Sequence, residues 1–273
     1  MQLATVRVAG GGTRVVRLDG EVATEVVGPA DVGELLATSG LRAASAADGP
    51  EYAVAELDYA PLVTAPSKII CVGLNYKAHI AETRREPPTY PTLFAKFADS
   101  LIGAHDDLVR PPETESMDWE GELVIVIGSH VRRVSGPEAE AAIAGYTIAN
   151  DVSLRDWQYR TTQWDQGKMW ADLTPVGPVL ATPEEIPFQA RIVTDIDGAV
   201  KQEGEIHDLV HGPAALVEYV STITRLRPGD LILTGTPSGV GHVRQPEEQL
   251  EPGQMVTVSI DGIGALRNRV VRG

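Results

Sequence analysis

Three carboxylates open the chemical reading of this sequence. Met117-Asp118-Trp119-Glu120-Gly121-Glu122-Leu123 runs into the apolar stretch Val124-Ile125-Val126-Ile127. If Glu122 to Ile127 is a strand, its two-residue period puts Glu120 and Glu122 on one face. Carboxylates so placed repel unless a cation lies between them or one takes up a proton. A solvent-washed strand edge would tolerate the pair equally well. Asp151, in Ala149-Asn150-Asp151-Val152-Ser153, follows another apolar β run, at a strand end where ligands gather. With the glutamates it would complete a set of hard oxygen ligands suited to Mg²⁺ or Mn²⁺. Spacing alone leaves Asp151 open to a second role, that of a turn residue capping the next segment.

Other polar residues could serve such a centre. In Arg155-Asp156-Trp157-Gln158, read as a short helix, the Arg and Gln share a face at i, i+3. A guanidinium with an amide is a receptor for a carboxylate, although the same pattern occurs on ordinary surface helices. Lys168 stands in Gln166-Gly167-Lys168-Met169-Trp170, where a Gly and two large apolar residues could hold an amine near a site. His79 and Glu82, three apart on a helix, would let the carboxylate orient the imidazole for deprotonating a water. A structural surface histidine fits that spacing too. Pro228-Gly229-Asp230 to Gly241 reads as a strand entering a Gly-rich turn. It lacks the lysine and helix of a P-loop, yet its amides and the Thr236 hydroxyl could bind a carboxylate.

Some patterns mislead. His207 and His211 have zinc-pair spacing but no third ligand nearby, and Gly10-Gly11-Gly12 precedes a strand, so it is a turn and not a dinucleotide fingerprint. Cys71, the single cysteine, lies in Ile69-Ile70-Cys71-Val72 and reads as a buried apolar residue.

The elements that must position these groups are mostly short strands. Residues 1–65 read as a small β-rich domain, punctuated by Gly10–Gly12 and Asp19-Gly20, with one short helix from Pro29 to Thr38. Pro61 and Pro66 bracket a linker, and residues 66–273 form the main domain. There the strands are Lys68–Gly73, Leu123–Ile127, Tyr146–Ala149, Arg191–Thr194, Leu231–Leu233 and Met255–Ile260. Asp197-Gly198 signals a two-residue hairpin. Helices are expected at Pro137–Ala144 and at Pro213–Arg225, the latter apolar at Leu216, Val217, Val220 and Ile223. Strands without regular βα alternation specify a mixed-β or α+β architecture, not a doubly wound sheet.

With 23 basic against 38 acidic residues, the formal charge is −15. Such a surface repels a phosphate backbone, and the densest basic cluster in the sequence, Arg84–Arg85, is flanked by Glu82 and Glu86. Nucleic acid is therefore not an expected partner. A single cysteine, no secretory signal at Met1–Arg7 and no membrane-length apolar run point to a cytoplasmic protein.

The order of the motifs carries more than any one of them. Val72-Gly73-Leu74-Asn75-Tyr76, Trp119-Glu120-Gly121-Glu122-Leu123, Asn150-Asp151-Val152-Ser153-Leu154-Arg155-Asp156 with Gln158, Gly167-Lys168, Pro175-Val176-Gly177-Pro178 and Thr234-Gly235-Thr236-Pro237-Ser238-Gly239-Val240-Gly241 follow one another as in the fumarylacetoacetate hydrolase family. The chain resembles its shorter members from about residue 68 onward. That resemblance implies a β-sandwich or roll catalytic domain, usually a homodimer. It also implies one Mg²⁺ or Mn²⁺ per subunit at Glu120, Glu122 and Asp151, and a keto-acid substrate that chelates it. The position of His79, oriented by Glu82, would activate water, and that of Lys168 would stabilise the departing enolate. Arg155, Gln158 and Thr236 match positions that bind substrate carboxylate or carbonyl groups. Ala78 stands where short members often carry Asp, and Met169-Trp170 is bulkier than the usual segment, which alters the pocket. Residues Lys77 to Tyr90, with Pro87 and Pro88, would form a lid.

Hydrolysis of a C–C bond in a 1,3-diketo acid is the first expectation, because the water-activating pair is present. Oxaloacetate-type decarboxylation and isomerisation of a 2-hydroxymuconate-like diacid pass through the same enolate and are the alternatives.

Overall fold

The computed structural model describes residues 1–83, 86–187 and 189–273. Arg84 and Arg85, the basic pair noted in the sequence, lie outside the described residues, as does part of the expected lid.

Among the described residues the main sheet has twelve strands. Its path runs Glu51–Ala53, Val22–Val26, Thr13–Asp19, Gln2–Arg7, Thr174–Ala181, Ile143–Asn150, Gly121–Ile127, Leu231–Leu233, Ile69–Gly73 and Thr92–Lys96. Asp58–Tyr59 and Leu101–Ile102 pair at the side of this path. The N-terminal strands continue the same ladder, with Gln2 opposite Ala181 and Leu3 opposite Leu180. A second sheet takes Ala199–Glu205, Arg191–Ile196, Met255–Ile260, Gly264–Arg272 and Leu108–Arg110. Strands dominate and helices are few, which is the mixed-β, α+β architecture expected.

Burial explains the central strands. Val124 and Val126 pack with Cys71, Leu231 and Leu233, whereas Ile125 and Ile127 face Val72, Ile232 and the helix residues Leu216, Val217 and Val220. A strand buried on both faces needs no polar alternation, hence the unbroken apolar run at 123–127. Ile223, at the last turn of helix Pro213–Ile223, is exposed, so the apolar stripe ends one turn earlier than its spacing suggests. The second sheet packs over Leu123 and Ile148 with Ile192, Val258 and Leu266. Gly121 permits this approach: a Cβ there would lie 2.4 Å from Thr194 Oγ1 and 2.8 Å from Val258 Cγ1.

The Asp197-Gly198 hairpin forms as expected, with φ of 51° and 81° and Ile196 opposite Ala199. Other boundaries differ. The helix expected at Pro137–Ala144 stops at Ala141, because Ile143 pairs with Ile127 and the chain is already in a strand. The helix expected from Pro29 starts at Val32, where Asp31 Oδ1 accepts the Glu34 amide at 2.7 Å as an N-cap. A separate helix, Gly40–Ser45, follows it.

The bridge between Val131 and Leu226 joins two segments that are remote in sequence. It lines a cleft of about 440 Å³ with His130, Arg132, Arg225 and Arg227. The sequence shows no such basic cluster because its parts lie some ninety residues apart. Among the described residues, no helix is long and apolar enough to cross a membrane.

Candidate active site

Pairing register brings the three carboxylates together. Gly121 lies opposite Asn150 and Glu122 opposite Ala149, so Glu120 and Asp151 are adjacent where the two strands end. The Asp151 amide donates to Glu120 O at 2.8 Å, and the Glu120 amide donates to Asn150 Oδ1 at 2.9 Å. Oxygens of Glu120, Glu122 and Asp151 lie within 4.8 Å of one another, and all three residues are buried.

Three cations surround them. Lys168 Nζ bridges Glu120 Oε2 at 2.7 Å and Asp151 Oδ2 at 2.8 Å. Lys96, fully buried, pairs with Asp151 Oδ1 at 2.8 Å and donates to Thr174 Oγ1 and to the Lys168 carbonyl. Arg155 Nη2 stands 2.7 Å from Glu120 Oε1 and 2.7 Å from Asp118 Oδ2. Its Nη1 donates to Gln158 Oε1 at 2.8 Å, so the shared helix face anticipated from i, i+3 spacing is real. Gly167 makes this arrangement possible. A Cβ there would sit 2.5–2.6 Å from Gln158 atoms, so only glycine lets the Lys168 segment dock on helix Arg155–Gln158.

Charge is not balanced among these groups. Asp118, Glu120, Glu122 and Asp151 face Lys96, Arg155 and Lys168, and Glu122 is the carboxylate without an ion-pair partner among the described residues. Burial opposes ionisation of Glu120, but Lys168 and Arg155 outweigh it and bring its carboxyl down to about 2. Burial, then Asp151 and Glu120, push the Glu122 carboxyl well above the usual range, against the charge of Lys168 and an amide from Gly235 at 2.7 Å. Hard oxygen donors with one uncompensated charge fit a divalent cation. A buried acidic triad is thus present.

The His79–Glu82 pair anticipated in the sequence also forms. His79 and Glu82 lie on helix Lys77–Glu82, with Nδ1 and Oε2 3.1 Å apart. Glu82 is itself held by the Gly239 amide at 3.0 and 3.2 Å. With Nδ1–H given to Glu82, the imidazole keeps Nε2 as its basic nitrogen. Asn75 fixes the chain just before this helix. Its amide donates to Thr234 O at 2.8 Å and His211 O at 3.0 Å, and its Oδ1 accepts the His211 amide at 2.8 Å.

A cavity of about 400 Å³ collects these side chains: His79, Glu82, Glu120, Glu122, Arg155, Gln158, Lys168 and Thr236 all line it. Phe94, Trp164, Tyr159 and His242 add aromatic rings to its wall. Of the residues given site roles by the family resemblance, Asp151 is the one not on the wall; it is fully buried.

The Gly-rich turn works differently from expectation. Its amides do bind carboxylates, but the protein's own: Gly235 serves Glu122, Gly239 serves Glu82, and Gly241 serves Asp118 at 2.7 Å. His207 and His211 are not on a helix; His207 instead meets Glu205 at 2.8 Å on the surface. Cys71 is fully buried, and burial pushes its thiol well above the ordinary range. Sequence reasoning missed Lys96, Asp118 and Gln202 as parts of this site. Lys96 ends an apolar strand, where a lysine ordinarily reaches solvent, and nothing in its local sequence marks it as buried.

The fold and site together define a β-rich enzyme that gathers buried carboxylates and cations around a cavity of small-molecule size. Residues 68–271 match the family model described as fumarylacetoacetate (FAA) hydrolase C-terminal. The chain belongs to the fumarylacetoacetate hydrolase family and is an enzyme. The human protein named oxaloacetate tautomerase FAHD2A, mitochondrial, is 39% identical over 234 residues, covering 84% of this chain and 74% of that one. A solved 2-hydroxyhepta-2,4-diene-1,7-dioate isomerase from Mycobacterium marinum superposes with a TM-score of 0.82 at 32% identity, over 100% of this chain and 98% of that one. The fumarylacetoacetate hydrolase of Exiguobacterium antarcticum gives 0.88 at 29% identity over 100% of both chains.

Proposed function

We propose that this enzyme interconverts the keto and enol forms of a small 2-oxo diacid, with oxaloacetate as the first candidate. The observation that carries the reading is one cavity lined by a glutamate-oriented imidazole and by an ammonium seated on the acidic triad. His79 Nε2 takes a proton from the carbon next to the carbonyl, and Glu82 holds the ring in place. Lys168 faces the oxygen on which negative charge grows, so it favours the enolate over the keto acid. The proton then passes to that oxygen to give the enol, and the reverse sequence restores the ketone. A divalent cation held by Glu120, Glu122 and Asp151, Mg²⁺ or Mn²⁺, would supply Lewis-acid polarisation of the carbonyl. Arg155 and Gln158 orient the substrate from the adjoining wall. A cytoplasmic homodimer remains part of the proposal.

Hydrolysis of a 1,3-diketo acid is the second reading, since the same His79–Glu82 pair can activate water. The relatives whose names state a tautomerase and an isomerase move proton transfer ahead of it. Mixing the enol form of oxaloacetate with protein and Mg²⁺ tests the order. Accelerated loss of the enol absorbance, abolished by chelation, supports tautomerisation. Pyruvate release from acylpyruvates without such acceleration would establish hydrolysis instead.

A further inference from the structure

Thr236 was expected to bind a substrate carboxylate or carbonyl group, for which its hydroxyl would have to donate. Its hydrogen bonds leave no proton for that. Gln202, buried on the Ala199–Glu205 strand, reaches across from the second sheet. Its Oε1 accepts the Gly121 amide at 3.0 Å, and a backbone amide can only donate. Its Nε2 therefore faces the other way, donating to the Pro237 carbonyl at 2.9 Å and to Thr236 Oγ1 at 2.7 Å. The side-chain orientation is fixed by two backbone groups of unambiguous polarity, so it is not open to an amide flip. Having accepted from Gln202, the Thr236 hydroxyl gives its own hydrogen to the Gly121 carbonyl at 2.9 Å. A hydroxyl has one hydrogen and two lone pairs. What remains on the Thr236 hydroxyl is one lone pair, and Thr236 lines the cavity.

We infer that Gln202 is a positioning residue that locks Thr236 as a hydrogen-bond acceptor, and that Thr236 recognises a protonated oxygen of the ligand, the enol O–H. A ketone or carboxylate oxygen has no hydrogen to offer there, so this wall favours the enol form of a 2-oxo diacid over its keto form. The inference rests on the proposal that an enol is handled in this cavity. It adds a specificity element on the wall opposite in character to the cationic floor: Lys168 and Arg155 attract oxyanions, whereas Thr236 selects a hydroxyl.

Calorimetry on the Mg²⁺-loaded protein tests it without turnover, using malonate and tartronate, which differ only by a hydroxyl group. The wild type should bind tartronate more tightly than malonate. Thr236→Val removes the lone pair at nearly constant volume and should reduce the tartronate-to-malonate affinity ratio about five- to tenfold, and Thr236→Ser should preserve it. Gln202→Met frees the Thr236 hydroxyl to rotate and should reduce the ratio several-fold, with malonate affinity held or improved. A wild type without preference for tartronate overturns the inference. So does a Thr236→Val variant that weakens both acids alike, the signature of a donor to carboxylates, or one that leaves the ratio unchanged. Because no catalysis is read, an enzyme that fails to interconvert oxaloacetate would refute the proposed reaction and not this assignment.

Discussion

The two ends of strand Gly121–Ile127 carry charge in opposite ways. At the Gly121 end, Glu120, Glu122 and Asp151 are buried with Lys96, Lys168 and Arg155, and nearly every charge has a partner within 2.8 Å. Beyond the Ile127 end, His130, Arg132, Arg225 and Arg227 line an open cleft. There Arg132 donates to the Ser221 and Thr222 carbonyls at 2.7 and 2.6 Å, in the last turn of helix Pro213–Ile223. Arg225 and Arg227 have no ion pair among the described residues. A buried charge costs several kcal/mol unless it is matched, so the interior network is over-determined, whereas solvent screens the exposed arginines at little cost. Charge at the first end is thus held by specific partners inside the protein, and charge at the second end is left to solvent.

Substitutions should reproduce that contrast. Glu122→Ala removes the unmatched carboxylate, and turnover should fall by about 10³-fold or more, together with the thermal stabilisation that added Mg²⁺ gives. Full activity with metal still bound would separate Glu122 from the centre. His79→Ala should lose proton transfer by ~10²–10⁴-fold with metal affinity nearly unchanged, as measured by steady-state kinetics and metal titration. Lys168→Met keeps much of the length and removes the charge; kcat should fall by ~10²-fold while KM moves little, and a change confined to KM would make Lys168 a substrate anchor. Lys96→Met breaks a buried pair and leaves Asp151 short of one partner, so denaturant unfolding should show a loss of about 3–5 kcal/mol. At the other end, Arg225→Ala with Arg227→Ala should leave kcat and KM unchanged and alter stability by no more than about 0.5 kcal/mol each. A large loss of activity there would end the claim that the two regions are independent.

How legible the site was depended on how local its causes are. Glu120 with Glu122, His79 with Glu82, and Arg155 with Gln158 are each set by strand or helix periodicity, and each pair forms as its spacing requires. The Asp197-Gly198 turn was legible for the same reason. The meeting of Asp151 with the glutamates was legible only through motif order, because it depends on the register between strands Gly121–Ile127 and Ile143–Asn150. Lys96 and Gln202 lay beyond reach. Their partners are at residues 151, 168, 174, 121 and 236, and nothing local marks a lysine or glutamine that will be buried by a distant sheet. The basic cleft escaped for the same reason, its halves being joined only by the Val131–Leu226 bridge. Helix ends were misjudged where a neighbouring strand, as at Ile143, claimed residues that propensity left undecided.

The central claim is proton transfer at the carbon beside a carbonyl, over the acidic triad. Deuterium entry into the methylene of oxaloacetate, followed by proton NMR in D₂O, reads that step directly. With Mg²⁺ present, the wild type should accelerate exchange at least ~10²-fold over the same buffer and metal without protein, and Glu122→Gln should not. Exchange no faster than in the protein-free control, or equal acceleration by Glu122→Gln, would contradict the account.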